Sequence, residues 1–246
     1  MNNLMKCLST GPLFFLLLLS ANTSSASEGI GRAIGHAYDK KTGELSYTEE
    51  HIKSSKIQHN VIYTEPTGDV FATKYIDYSD STMAPNFNQV NERNGEEVAV
   101  QRKNQTLEVS YRKNSSASLE TKVIDIQGKT LVADAGFDQI VREEWDKLEN
   151  GILLEVDFLV PSRLTTVPFT MAKVECVQDI GINIDKVLCL SIETKAWWLR
   201  LLVDPIFMAY DLNNRQLLRF IGRANIGEEN GDYKDVDIHY SYHPKI

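Results

Sequence analysis

The sequence predicts a mainly β protein: a strongly curved antiparallel sheet or open half-barrel, with one amphipathic helix over about 138–150 and a short apolar helix over about 196–203. Three observations lead there. Apolar and polar residues alternate over short runs, which is the period of a half-buried strand. Turn-forming clusters punctuate those runs so closely that most neighbouring strands must join as hairpins and pair antiparallel. Two segments break the alternation, one with apolar residues at helical spacing and one almost wholly apolar.

The chain opens with an export signal. Met1 to Lys6 is polar and positively charged, Pro12 to Ala21 is apolar, and small residues follow. That apolar run is too short to span a bilayer, and Ser24 and Ala26 fit the positions before a cleavage site near Ala26. Cys7 precedes the apolar run, whereas a lipid-modified cysteine would sit at the cut. Residues 1–26 are therefore read as a leader and 27–246 as a single antiparallel β domain, exported to the periplasm. No later stretch is long and apolar enough to cross a membrane. The chain carries 26 basic and 34 acidic residues, and the leader takes away one Lys and no acid. An acidic protein of this kind lacks the positive surface that a nucleic-acid partner requires.

The strands follow in order. Leu107, Val109 and Tyr111 alternate with Glu108 and Ser110; Leu154, Val156, Phe158 and Val160 mark one face of another strand; Val236, Ile238, Tyr240 and Tyr242 mark a third. The turns between strands read "DKKTGE" at 39–44, "EPTGD" at 65–69, "ERNGE" at 92–96, "IQGKT" at 126–130 and "LNNRQ" at 212–216. About a dozen strands result, and "IFMAYDLNNRQLLRFIG" is expected to form a hairpin. Residues 80–95 read as a polar loop. "GIGRAIG" at 29–35 lacks the preceding strand a phosphate-binding loop needs, and is read as a leader into the first strand.

In "ADAGFDQIVREEWDKLENG", 133–151, Phe137, Ile140, Val141, Trp145 and Leu148 recur at helical spacing, with Asp138 expected as N-cap and Asn150-Gly151 as the stop. At 100° per residue most of its acids face solvent, but Glu144 falls inside the apolar arc. A buried carboxylate needs a cation or a proton, and an arginine such as Arg93 or Arg219 is the expected partner. In "KAWWLRLLVDPIF", Trp197, Trp198 and Leu201 belong to an apolar block that Pro205 ends.

No Gly-x-Ser-x-Gly elbow, His-Glu-x-x-His helix or Walker loop is present. His239 and His243 share a strand face with Asp235 and Asp237, a donor set that reads as a solvated face rather than a metal site. No catalytic residue, metal ligand or cofactor is assigned. An oxidising compartment allows a Cys176–Cys189 bond, the alternative being two separate buried thiols.

The stretches "AYDKKTGELSYTEEH" (37–51), "GDVFATKYIDY" (68–78), "DAGFDQIVREEWDKLENG" (134–151) and "YDLNNRQLLRFIG" (210–222) resemble an uncharacterised family of exported bacterial proteins, a resemblance that implies no activity. A leader followed by an antiparallel meander and a covering helix is also similar to the half-barrel periplasmic lipoprotein carriers. That second resemblance implies a curved sheet around an apolar cavity for acyl chains.

The leading expectation is thus non-catalytic binding of an apolar or amphipathic, lipid-like ligand, contacted by Phe137, Glu144, Trp145, Trp197, Trp198 and Leu201. The alternative is a cell-envelope interaction or scaffold protein that uses the Trp197–Val203 segment. A hydrolase with a dispersed site has no positive support.

Overall fold

Turn chemistry sets the architecture first. In "DKKTGE" the Asp39 carboxylate accepts the backbone N–H groups of Lys41 (2.8 Å) and Thr42 (3.1 Å), and Gly43 takes a positive φ of 74°. Asp211 captures Asn213 and Asn214 in the same way. Side chains that satisfy turn amides let the flanking strands pair at once.

The computed structural model describes residues 31–176, 184–195 and 204–243. Among them a meander of eight strands comes first: β1 (Arg32–Asp39), β2 (Leu45–Lys53), β3 (Gln58–Thr64), β4 (Val70–Asp77), β5 (Asn86–Asn91), β6 (Glu96–Lys103), β7 (Thr106–Arg112) and β8 (Glu120–Asp125). A two-residue strand, β9 (Leu131–Val132), leads into helices α1 (Gly136–Glu143) and α2 (Trp145–Glu149). The chain then continues through β10 (Leu154–Val160), β11 (Thr165–Lys173), β12 (Val187–Thr194), β13 (Ile206–Asp211), β14 (Leu217–Arg223) and β15 (Asp235–His243). Strand β15 returns to pair with β1, so all fifteen form one open sheet in the order β8 to β1, then β15 down to β9. The expected mainly β, curved and open sheet is therefore what forms, with the expected 206–222 hairpin as β13–β14.

One pairing departs from the antiparallel expectation. β9 runs parallel to β10, because α1 and α2 supply the crossover that a parallel pair needs. Those helices also differ from the expected single helix over 138–150. Helix α1 starts at Gly136 behind Ala135, and Asp138 lies within its first turn, paired with Arg142 at 2.8 Å rather than capping. The helix breaks at Glu144, whose φ of −100° and ψ of 18° separate α1 from α2. Residues 80–95 are not one loop: Asn86–Asn91 forms β5, leaving a shorter connection after β4. The expected helix over 196–203 lies outside the described residues.

The curved, open sheet buries two separate cores. The first collects the concave side of β1–β8, with Tyr47, Val61, Tyr63, Ile76, Val100 and Leu107 among its members. The second packs Ile140, Val141, Trp145 and Leu148 of the helices against Val156, Met171, Leu190, Ile192, Met208 and Tyr210. The strip β9–β10 lies between them. Leu131 and Leu159 join the first core, while Val132, Val156 and Phe158 join the second. The strip is apolar on both faces where both are covered, at Leu131–Val132 and Phe158–Leu159, while Glu155 near the start of β10 stays exposed.

Helices α1 and α2 fill the hollow of β10–β14 with their own side chains. The apolar interior implied by the lipoprotein-carrier resemblance is occupied by the chain itself.

Cys176 and Cys189 are bonded, with Cα atoms 5.2 Å apart. The bond ties the chain leaving β11 onto the outer face of β12, where Val174, Val187, Ala209 and Leu218 pack beside it. Closing a loop of this size stabilises by about 3 kcal/mol in the chain-entropy picture. It also explains why "VLCLSI" is buried on both faces, without alternation.

Candidate functional site

Two polar features stand out on the concave side: a buried band that holds the roll together, and an open cleft at its mouth.

The band runs across the inner face of β2–β6, where alternation places Glu49, His51, His59, Lys74, Gln89, Asn91 and Glu96 among apolar neighbours. Burial of so many polar groups demands partners, and most of them come from chain segments crossing the interior. Gln89 donates to the Asn225 carbonyl (3.0 Å), Asn91 to that of Gly227 (2.8 Å) and Asn94 to that of Glu228 (2.8 Å). These amides pin the β14–β15 connection across β5 and β6. Tyr233 and Tyr111 both donate to Glu96. Burial raises the Glu96 carboxyl above its ordinary range despite those hydrogen bonds. Lys74 reaches Asp134, in the segment between β9 and α1, at 2.5 Å.

Glu49 accepts hydrogen bonds from Tyr240 (2.5 Å) and His51 (3.0 Å). Burial pushes its carboxyl up, but His51, Tyr240 and the Lys74 charge outweigh that and leave it lowered. Glu49 with His51 has the form of a base and its orienting carboxylate. Among the described residues, however, no Ser, Thr or Cys side chain hydrogen-bonds to His51, whose ring neighbours are His59 at 5.2 Å and Tyr240 at 6.0 Å. The pair therefore has no side-chain nucleophile beside it among the described residues.

His59 gives this band a pH signature. Burial, then the neighbouring His51 and Lys53, hold its imidazole down to about 3. The folded state thus prefers neutral His59, so stability present above the ordinary value of 6.5 is lost as pH falls from there toward 3. Between pH 7 and pH 5 the expected loss from this one group is about 2 kcal/mol. Urea unfolding at both pH values should show His59→Leu losing that much less stability than the wild type. Glu96 acts in the opposite sense, so the difference between the two proteins is the readout. An identical pH dependence in both would contradict the assignment.

The cleft lies at the end of the roll. It measures about 290 Å³ and is lined by Ser81, Thr82, Met83, Arg102, Ile126, Lys129, Thr130 and Leu131. Three separate segments build it. Ser81 to Met83 belong to the β4–β5 connection, shaped by the Ser81 hydroxyl accepting the Ala84 N–H at 3.1 Å. Arg102 continues the inward row of Val98 and Val100 on β6, and its backbone N–H is fixed by Asn86 at 2.6 Å. Lys129 sits on the β8–β9 turn, where Gly128 has a φ of 73° and Lys129 Nζ donates to Thr166 Oγ1 at 3.2 Å. Among the described residues no carboxylate lines the cleft. Among the described residues neither Arg102 nor Lys129 has an acidic partner.

The site residues expected from the sequence lie elsewhere. Phe137 stacks on Phe158, centroids 4.4 Å apart, within the second core. Trp145 is buried there too, its indole N–H donating to Glu149 at 3.1 Å and its ring edge-on to Tyr210. Glu144 is half-buried at the helix break and pairs with Lys147 at 2.5 Å. The arginines expected as its partners are engaged otherwise, Arg93 with Glu65 and Arg219 with Asp237. Trp197, Trp198 and Leu201 lie outside the described residues. Arg102 and Lys129 were not singled out in the sequence. The available signal was the Glu96, Val98, Val100, Arg102 alternation, which sets an arginine on the apolar side of a strand.

His239 pairs with Asp237 at 3.2 Å, and the described residues contain no group of three or more His, Cys, Asp or Glu placed to hold a metal ion. No helix among them is long and apolar enough to cross a membrane.

Fold and site thus define a rolled, open β-sheet protein with a self-filled interior and a cationic cleft at one end. No protein family matches the chain by sequence, and no curated protein sequence does. Among solved structures it is similar to a beta-barrel-like protein of domain of unknown function DUF1849 from Brucella abortus, at 12% identity and a TM-score of 0.46, over 88% of this chain and 96% of that one.

Proposed function

We propose that this chain is an exported, non-catalytic periplasmic protein that binds a small amphipathic ligand in the cleft between the β4–β5 connection, Arg102 and the β8–β9 turn. The observation that carries the reading is the cleft itself. It combines apolar Met83, Ile126 and Leu131 with hydroxyls and two cations, whereas the hollow of the sheet is packed with the protein's own helices. Mixed linings of this kind, apolar walls with a few placed polar groups, characterise small-molecule sites. At about 290 Å³ the cleft stands at the small end of such sites, so it suits a head group and the first part of a chain rather than a whole acyl chain. The leader at 1–26 supports export, and the bonded Cys176–Cys189 pair fits an oxidising compartment.

The test is solvent extraction of the purified protein followed by mass spectrometry, on the wild type and on Thr82→Trp, which places an indole in the cleft from an exposed position. A bound amphiphile in the wild type that falls severalfold in the variant is the expected result. No bound molecule in either, or equal content in both, would overturn the reading.

A further inference from the structure

We infer that the cleft recognises an anionic head group, a phosphate monoester or a group of similar charge and geometry, through Arg102 and Lys129. The inference deepens the reading above and rests on the cleft being the ligand site.

Arg102 carries a half-buried charge that no acid in the described chain matches. Among the described residues the other basic side chains that are not exposed find acids: Lys74 with Asp134, Arg93 with Glu65, Arg112 with Glu97, Arg142 with Asp138, Arg219 with Asp237 and Lys234 with Asp39. Lys103, adjacent to Arg102 on β6, pairs with Glu108 at 2.8 Å. Arg102 breaks that pattern. It is half-buried, it points inward by strand alternation, and it faces a cleft with no carboxylate in its wall. Glu143 lies outside the lining, its carboxylate accepting the Thr82 hydroxyl at 3.0 Å.

A partly desolvated guanidinium without a counter-charge stands ready to recover its hydrogen bonds from an incoming anion, and its planar fork suits two oxygens at once. Lys129 supplies a second charge at the cleft as a compact, exposed ammonium. Ser81 and Thr130 add hydroxyls in the same cleft. The apolar patch of Met83, Ile126 and Leu131 lies beside these groups, where the first carbons attached to an esterified phosphate would rest. Because the chain as a whole is negatively charged, long-range attraction would not draw anions in. Recognition must come from these local cations.

The experiment is calorimetric titration of the full mature chain, free of bound lipid, with four probes below their micelle concentrations: octyl phosphate, octyl glucoside, octyltrimethylammonium and inorganic phosphate. Octyl phosphate should bind at least tenfold more tightly than the other two amphiphiles, and its affinity should fall as salt rises. Arg102→Gln should weaken it about tenfold, consistent with loss of one charge-assisted contact, and Lys129→Gln less, since that side chain is exposed. Lys103→Gln, which removes a neighbouring charge outside the cleft, should leave it unchanged. Equal binding of octyl glucoside and octyl phosphate, indifferent to Arg102→Gln, would overturn the anion assignment and leave the cleft as a ligand site. Inorganic phosphate binding as tightly as octyl phosphate would keep the anion site and overturn the amphiphile reading. Binding of none of the four would overturn both.

Discussion

Replacing Lys74 by Met should destabilise the fold by about 3–5 kcal/mol, the usual cost of breaking one side of a buried ion pair. Lys74 is 2% exposed and its ammonium lies 2.5 Å from the Asp134 carboxylate, flanked by the rings of Tyr63 and Phe87. Met keeps the length of the side chain but removes the charge. Asp134 is then left in a poorly solvated site with one hydrogen bond, from the Ala135 N–H at 2.8 Å. The expected loss therefore comes mostly from the stranded carboxylate rather than from a lost attraction. That account makes a second demand. Asp134 has a positive φ of 47°, a conformation Asn tolerates about as well as Asp. Lys74→Met combined with Asp134→Asn should recover much of the loss in urea unfolding. A double variant as unstable as the sum of the two singles would show that the pair is not coupled as described.

Gly136→Ala is the second large effect, expected at the upper end of the 1–3 kcal/mol typical of overpacking or above it. A Cβ at Gly136 would overlap the backbone carbonyl of Met83, which cannot rotate away as a side chain would. That carbonyl also accepts the Ala133 N–H at 3.0 Å, so relieving the overlap breaks a further bond. The consequence reaches the site, because Met83 is part of the cleft wall. Gly136→Ala should lower the melting temperature by several degrees and weaken octyl phosphate binding, although residue 136 does not line the cleft. A variant with wild-type stability and affinity would show that the helix start does not position the loop.

Those two residues also indicate what the sequence could and could not reveal. The meander was legible because most strands present one apolar face to one core, as Leu107, Val109 and Tyr111 do on β7. β5 escaped notice because its inward residues include Gln89 and Asn91, whose partners lie 136 residues away in the β14–β15 connection. β12 shows no alternation because the disulfide-tied segment covers its outer face. The amphipathic helix was legible in place and facing, and Trp145 and Leu148 do point inward. Its break at Glu144 was not, since a helical wheel assumes unbroken phase past the residue where this chain departs from it. The cleft was the least legible feature. Its walls come from three separate stretches, and the pairing of β4 through β8 brings Thr82, Arg102 and Lys129 to the same end of the sheet.

The central claim is that ligand binds at the mouth of the roll and not in its hollow. Amide chemical shifts followed by NMR through a titration with octyl phosphate test it most directly. The account predicts progressive shifts at residues 81–83, 102 and 126–131, with the amides of Val156, Leu190 and Ile192 in the second core unmoved. Shifts centred on those core residues, with the cleft amides unchanged, would contradict it.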